Sequence, residues 1–145
     1  MLQYQTIAEL CQAAEEAGKT LSEVILADQA RQMETSEQVL YERMERSLNV
    51  MQEAVVSGMD PDLRSTSGLT GGDAAKMERY AESGGITGTF LNQAMARAIA
   101  VSEYNAAMGK IVAAPTAGSC GIIPGTILSV LEEGRCSRKQ AVMSL

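Results

Sequence analysis

The sequence predicts an all-α, multi-helix domain with two loops rich in Gly, Ser and Thr. Capping signatures recur along the chain, and the apolar residues that follow each one fall at helical spacing. Glycine is concentrated in the middle, with 11 of the 13 glycines between Gly58 and Gly125. A chain of 145 residues, 46% of them hydrophobic, is long enough to bury the core of one small domain.

Thr6 with Glu9 forms the first capping signature. Ile7, Leu10, Cys11, Ala14 and Ala17 then make one apolar stripe, and Gly18 stops it. Thr20 with Glu23 repeats the signature, ahead of Leu21, Val24, Ile25 and the single polar member Asp28. Thr35 with Gln38 opens a longer helix carrying Leu40, Met44, Leu48, Met51 and Val55, with Gly58 as its stop. From Asp60 to Ala74 the run DPDLRSTSGLTGGDA has little apolar periodicity and reads as a long loop ending at a helix start near Asp73. A loop of that length inside a domain is usually functional or disordered. AAKMERYAE is a short helix closed by Ser83-Gly84-Gly85. An alanine-rich helix from Thr89 to about Ala107 offers faces that neighbouring helices can approach closely.

Next come Ile111–Ala114, expected as a short buried segment, extended before Pro115 because proline disfavours α geometry in the residue preceding it. Thr116–Gly121 is expected as a tight turn, and Thr126–Glu133 as a helix ended by Gly134. Ser137 with Gln140 signals one more helix about two turns before Leu145, so the chain reads as the N-terminal part of a longer protein. The resulting division is an acidic helical part over 1–58, a loop-rich site part over 59–125, and the start of further helices over 126–145.

Charge and composition exclude several classes. The net charge of −6 and the low isoelectric point, about 4.7, argue against a nucleic-acid footprint. The first 60 residues carry 11 acidic and 4 basic side chains, most simply a solvated acidic surface. No apolar run approaches the ~18 residues needed to span a bilayer. The N-terminal residues lack the basic and continuous apolar regions of a secretory signal, so a cytoplasmic location is expected. Histidine is absent, which removes the commonest neutral-pH acid–base group and the commonest metal ligand.

Two small-residue loops and one cysteine are the candidates for chemistry. Cys120 lies between Ser119 and Gly121, ahead of a helix. Helix N-termini and glycine nests stabilise negative charge, so a thiolate there can act as nucleophile or soft metal ligand. A small packed thiol beside a turn is an equally simple reading. Cys11 sits on an apolar helix face and Cys136 in a turn. The three cysteines form no CxxC and no zinc spacing, and their odd number without a secretion signal argues against a disulfide framework. Ser65–Gly72, STSGLTGG, has hydroxyls and backbone donors suited to a carboxylate or phosphate at a helix start. It is not a P-loop, because Asp73 follows where Lys-Ser/Thr is required. On composition alone a flexible linker explains it better, and the methionine stripe is more simply core than cofactor box.

The run MGKIVAAPTAGSCGIIPG, Met108–Gly125, closely resembles the alpha chain of iron–sulfur-dependent L-serine dehydratases. SGLTGGDAAKMERY (Ser67–Tyr80) and VSEYNAAMGK leading into the motif resemble the same family, and the likeness extends from about Ser36 to the end. PTAGSCG followed by IIPG is far more specific than a lone glycine loop.

The resemblance implies an L-serine ammonia-lyase that forms pyruvate and ammonia with a [4Fe–4S] cluster and no pyridoxal phosphate; nothing around Lys76 or Lys110 suggests a Schiff base. It maps one cluster ligand onto Cys120 and places the others further along the family's alpha chain, matching neither Cys11 nor Cys136. One thiolate cannot hold a four-iron cluster, so this chain alone is expected to be cluster-free and inactive. In the complete enzyme, a cluster with one open iron would act as Lewis acid on the substrate hydroxyl. Ser65, Ser67, Gly68 and Thr70, with Thr116 and Ser119, are the candidates for holding the L-serine carboxylate; Asn105 and Lys110 are weaker ones. The implied partner is a beta chain or fused beta domain, and a homo-oligomer is compatible. Two other classes remain open: a related iron–sulfur lyase such as a cysteine desulfidase, and a non-catalytic helical domain that binds a partner chain.

Overall fold

The computed structural model describes residues 4–145, and among them it contains helices and no strand. In chain order the helices are α1 (Ile7–Ala17), α2 (Leu21–Gln32), α3 (Glu37–Gly58), α4 (Asp73–Glu82), α5 (Thr89–Ala106), α6 (Ser119–Glu132) and α7 (Arg138–Met143). They fall into two units, one of Met1–Arg46 with Val142–Leu145, the other of Ser47–Ala141. None of the helices is long and apolar enough to cross a membrane.

In the first unit the capping signatures operate as written in the sequence. The Glu9 amide donates to Thr6 Oγ1, and Gly18 ends α1 in the left-handed region at φ 61°. Thr20 and Glu23 form a reciprocal capping box, each side chain accepting from the other's amide. The third helix starts one residue later than expected, because Ser36 rather than Thr35 accepts from the amide three residues on. Asp28, the polar member of the α2 stripe, is buried but satisfied: Arg31 and Gln32, one turn on, both donate to its carboxylate. Ile7, expected in the apolar stripe, is instead exposed. Leu21, Ile25, Leu26, Met33, Leu40 and Met44 contribute to an open, largely apolar groove of about 570 Å³, which contains no cysteine.

The second unit is built around α5. Its alanines let two helices approach: α4 runs antiparallel along one side and α6 antiparallel along another. The α6 side shows how close the approach is. A Cβ on Gly121 would lie 2.6 Å from the Ala98 carbonyl oxygen, and one on Gly125 2.7 Å from that of Ala94. At the outer end of the pair Arg97 donates to Ser129 Oγ at 2.7 Å and pairs with Glu132, while Arg135 lies over the Phe90 ring at 5.2 Å.

One expectation holds for an unexpected reason, and two need correction. α3 ends at Gly58 as expected, with Gly58 the last helical residue and the Met59 amide still donating to Val55. Its glycine is required by contact, because a Cβ there would sit 1.9 Å from the Ala100 carbonyl oxygen. Ile111–Ala114 is irregular but not buried, its residues being half-buried or exposed. The helix expected from Thr126 begins seven residues earlier, at Ser119, and carries Pro124 inside it. Pro124 is the sixth residue of the helix and forfeits the amide that would have bonded the Cys120 carbonyl. Ser119–Gly121, expected within a tight turn, instead form the first residues of this helix.

α5 ends in a Schellman motif. The Met108 amide donates to the Asn105 carbonyl and the Gly109 amide to that of Tyr104, with Met108 left-handed at φ 66°. Glycine normally occupies that place, and the Met108 side chain is exposed, so nothing is lost by removing it. Met108→Gly is therefore expected to raise stability by up to about 1 kcal/mol, net of the greater freedom of glycine in the unfolded chain. Chemical denaturation of the two proteins measures it.

Candidate functional site

All the residues singled out as site candidates lie in the second unit, around the C-terminal end of α5. Because α6 is antiparallel to α5, the N-terminal turn of α6 lies beside Ala98 and Ser102. Because α4 is also antiparallel, its first residues lie beside Glu103. Two helix N-termini, whose first amides need partners from outside the helix, therefore converge on one end of the unit.

The α6 terminus is tightly self-tied. Thr116 and Ser119 cap each other: the Thr116 amide donates to Ser119 Oγ at 3.1 Å, and the Ser119 amide to Thr116 Oγ1 at 3.4 Å. Thr116 Oγ1 donates to Ser119 Oγ at 3.0 Å, which in turn donates to the Thr116 carbonyl at 2.7 Å. Cys120 is the second residue of α6, not part of a turn ahead of it. Its thiol is half-buried and reaches the same carbonyl at 3.7 Å. The thiol is thus held at the helix opening rather than packed away in the core.

The second cluster is the loop between α3 and α4. Its tip is closed by the Ser65 amide donating to the Thr70 carbonyl at 2.9 Å and the Gly68 amide to that of Ser65 at 2.8 Å. Ser65 and Ser67 lie with their hydroxyl oxygens 3.1 Å apart, and each accepts from a loop amide, those of Thr70 and Leu69. Gly68 takes the left-handed φ of 73° that the turn needs. Thr66 fastens the tip to α5, its amide and hydroxyl both donating to the Ala106 carbonyl at 2.9 and 3.2 Å. This is an ordered, self-bonded loop rather than a linker.

Asn105 follows Ala98 and Ser102 at i+7 and i+3, on the face of α5 that packs α6. Lys110 is exposed in the irregular segment leading to Thr116. The structure thus gathers Thr116, Ser119 and Cys120 in one hydrogen-bonded cluster, and Ser65, Ser67, Gly68 and Thr70 in another. The loop cluster is fastened to Ala106 at the end of α5, and the other stands at the start of α6, beside Ala98 and Ser102.

The residue that sequence reasoning missed is Glu103. Its carboxylate, 7% exposed, accepts from the amides of Gly72 at 3.2 Å, Asp73 at 2.8 Å and Ala74 at 3.3 Å. The anion at this helix start is thus the chain's own carboxylate. A signal was available: Asn92, Ala96, Ile99 and Glu103 repeat at helical spacing, which puts a lone acid on a buried face.

Cys120 and Cys136 lie at opposite ends of α6. Cys11 belongs to the first unit, and Cys136 follows the far end of α6, roughly 20 Å from Cys120 by helix rise. Among the described residues no group of three or more His, Cys, Asp or Glu side chains could hold a metal ion. The donor set present therefore does not fit a four-iron cluster by itself.

Comparison with known proteins adds the remaining findings. The family model for the serine dehydratase alpha chain matches residues 16–145. The chain is 36% identical over 143 residues to a probable L-serine dehydratase, alpha chain, of Bacillus subtilis (strain 168), covering 98% of this chain and 47% of the relative. It is 33% identical over 129 residues to the L-serine dehydratase, alpha chain, of Peptoniphilus asaccharolyticus, covering 88% of this chain and 44% of the relative. The chain thus spans about half the length of the curated relatives it matches. No solved structure matches it at a significant level.

Proposed function

The chain belongs to the serine dehydratase alpha-chain family, and we propose that it contributes part of the active site of an L-serine ammonia-lyase that releases pyruvate and ammonia. The observation that supports this most is the convergence of the Thr116–Cys120 cluster and the Ser65–Thr70 loop on one end of α5. The two segments are separate in sequence, and both bear the family resemblance.

In this reading Cys120 is one ligand of the [4Fe–4S] cluster and the others come from outside the described residues. A single thiolate does not make a cluster site, so no reaction step is assigned to the cluster here. What the chain's own residues contribute is binding and orientation. The Ser65, Ser67 and Thr70 hydroxyls, with the Thr116–Ser119 pair, receive the substrate carboxylate. Asn105 and Lys110 stand at the same end to meet its remaining polar groups. The amides of Gly72, Asp73 and Ala74 are excluded from that task because Glu103 holds them. No general base is assigned among these residues, and the sequence has no histidine to supply one. The partner is a beta chain or domain, in keeping with the alpha-chain names of the relatives.

Turnover tests the reading. The chain is joined to the second half of a curated relative's alpha chain, assembled anaerobically with iron, sulfide and a beta chain, and offered L-serine and L-cysteine separately. Pyruvate from L-serine, far above sulfide release from L-cysteine, is the expected result. Dominant sulfide release would move the assignment to a cysteine desulfidase, and no turnover of either would favour a non-catalytic partner-binding domain.

A further inference from the structure

Glu103 is the buried carboxylate of the second unit, and no part of the reaction as read above uses it. It lies on α5 but caps α4, about thirty residues earlier in the chain. α4 has no cap of its own: Gly72 has no side chain to offer, and Asp73 pairs outward with Lys76 at 2.8 Å. The three amides that Glu103 accepts are among those a helix cannot satisfy internally. A buried carboxylate likewise needs such donors to offset its lost hydration. Each group therefore fixes the other.

The effect extends along the loop. A Cβ on Gly71 would lie 2.1 Å from the Leu63 carbonyl oxygen, and one on Gly72 2.8 Å from that of Pro61. The returning limb of the loop is thus pressed against the outgoing limb, so holding Gly72–Ala74 also holds residues 61–64. Thr66 bonded to Ala106 fastens the tip three residues beyond Glu103 on the same helix. The Ser65–Thr70 hydroxyls hang between two anchors on α5, about one turn apart.

We infer that Glu103 is a positioning residue: through the amides of Gly72, Asp73 and Ala74 it sets the Ser65–Thr70 hydroxyls in place for the substrate carboxylate, without touching substrate itself. The substrate part rests on the reading under Proposed function. The loop part stands independently of it.

Two measurements on wild type, Glu103→Ala and Glu103→Gln separate these parts. The first is hydrogen–deuterium exchange of this chain. In Glu103→Ala, exchange at Gly72, Asp73 and Ala74 is expected to rise at least about tenfold and to spread to Ser65–Thr70, while Leu128–Leu131 in α6 stay protected. Glu103→Gln, which keeps one carbonyl oxygen as acceptor, should fall between the two and remains informative if the alanine variant does not fold. The second is steady-state kinetics of the assembled enzyme on L-serine, where KM should rise about tenfold in Glu103→Ala with a smaller change in kcat. Unchanged exchange at the three amides, or loss of protection spread evenly over α4, α5 and α6, would overturn the inference. Local loosening with an unmoved KM would overturn its substrate part and the assignment of this loop to substrate. An inactive wild-type enzyme would overturn the reading under Proposed function before any variant is compared.

Discussion

Gly58→Ala is expected to be the most destabilising single methyl addition in the second unit. In an exposed helix interior, alanine stabilises relative to glycine by about 1 kcal/mol. Here the sign reverses. The new Cβ would sit 1.9 Å from the Ala100 carbonyl oxygen and 2.8 Å from its Cα. Those are backbone atoms of a residue that is fully buried, so no flexible side chain can give way. The end of α3 and the middle of α5 must separate, and the cost is roughly 3 kcal/mol or more, at the upper end of overpacking penalties. Against a typical total stability of about 5–15 kcal/mol that is a large fraction. The melting temperature should fall by roughly 10–20 °C in a calorimetric scan. Gly118→Ala is the control: nothing lies within 4 Å of its Cβ position and its φ of −67° is helical, so it should melt close to wild type.

The second large effect is chemical. Cys120→Ser should leave the fold intact, because Cys120 is half-buried in the first turn of α6, where serine is well accommodated. In the assembled enzyme it should reduce pyruvate formation by on the order of a hundredfold or more, as expected for loss of a metal-site group. Cys136→Ser, beyond the opposite end of α6, and Cys11→Ser, which the family resemblance matches to no ligand position, should keep near-full turnover. Circular dichroism with a pyruvate assay on the three variants distinguishes a ligand from a packed thiol. Equal losses in all three would show only a general sensitivity to cysteine replacement.

The parts of the fold legible in the sequence were those governed by short-range physics. Thr6, Thr20 and Ser137 cap where the pattern placed them because the bond from residue to third neighbour is local. The parts misread depended on what lies across space. Gly58 does end α3, but the reason for its glycine was hidden, since one demanded by a neighbouring helix is indistinguishable in sequence from one demanded by its own φ. Thr116–Gly121 reads as a turn because small residues favour turns, yet Ser119–Gly121 is helical where α5 offers a close-packed face. Glu103 was passed over because its partners are about thirty residues away, and only the α4–α5 hairpin brings them together. Of the candidate site, the motif around Cys120 was legible through its resemblance, as was the hydroxyl loop. Their meeting at the C-terminal end of α5 was not, since it follows from two antiparallel helix pairings.

The central claim is that Cys120 supplies one ligand to a cluster completed elsewhere in a serine dehydratase. The most direct measurement is bound iron and sulfide after anaerobic reconstitution, on this chain alone and on the chain joined to the second half of a relative's alpha chain. The account predicts no cluster on this chain alone, and a cluster with about four irons on the longer one, together with pyruvate from L-serine when the beta chain is present. A stable cluster on this chain alone, or none on either, would contradict it.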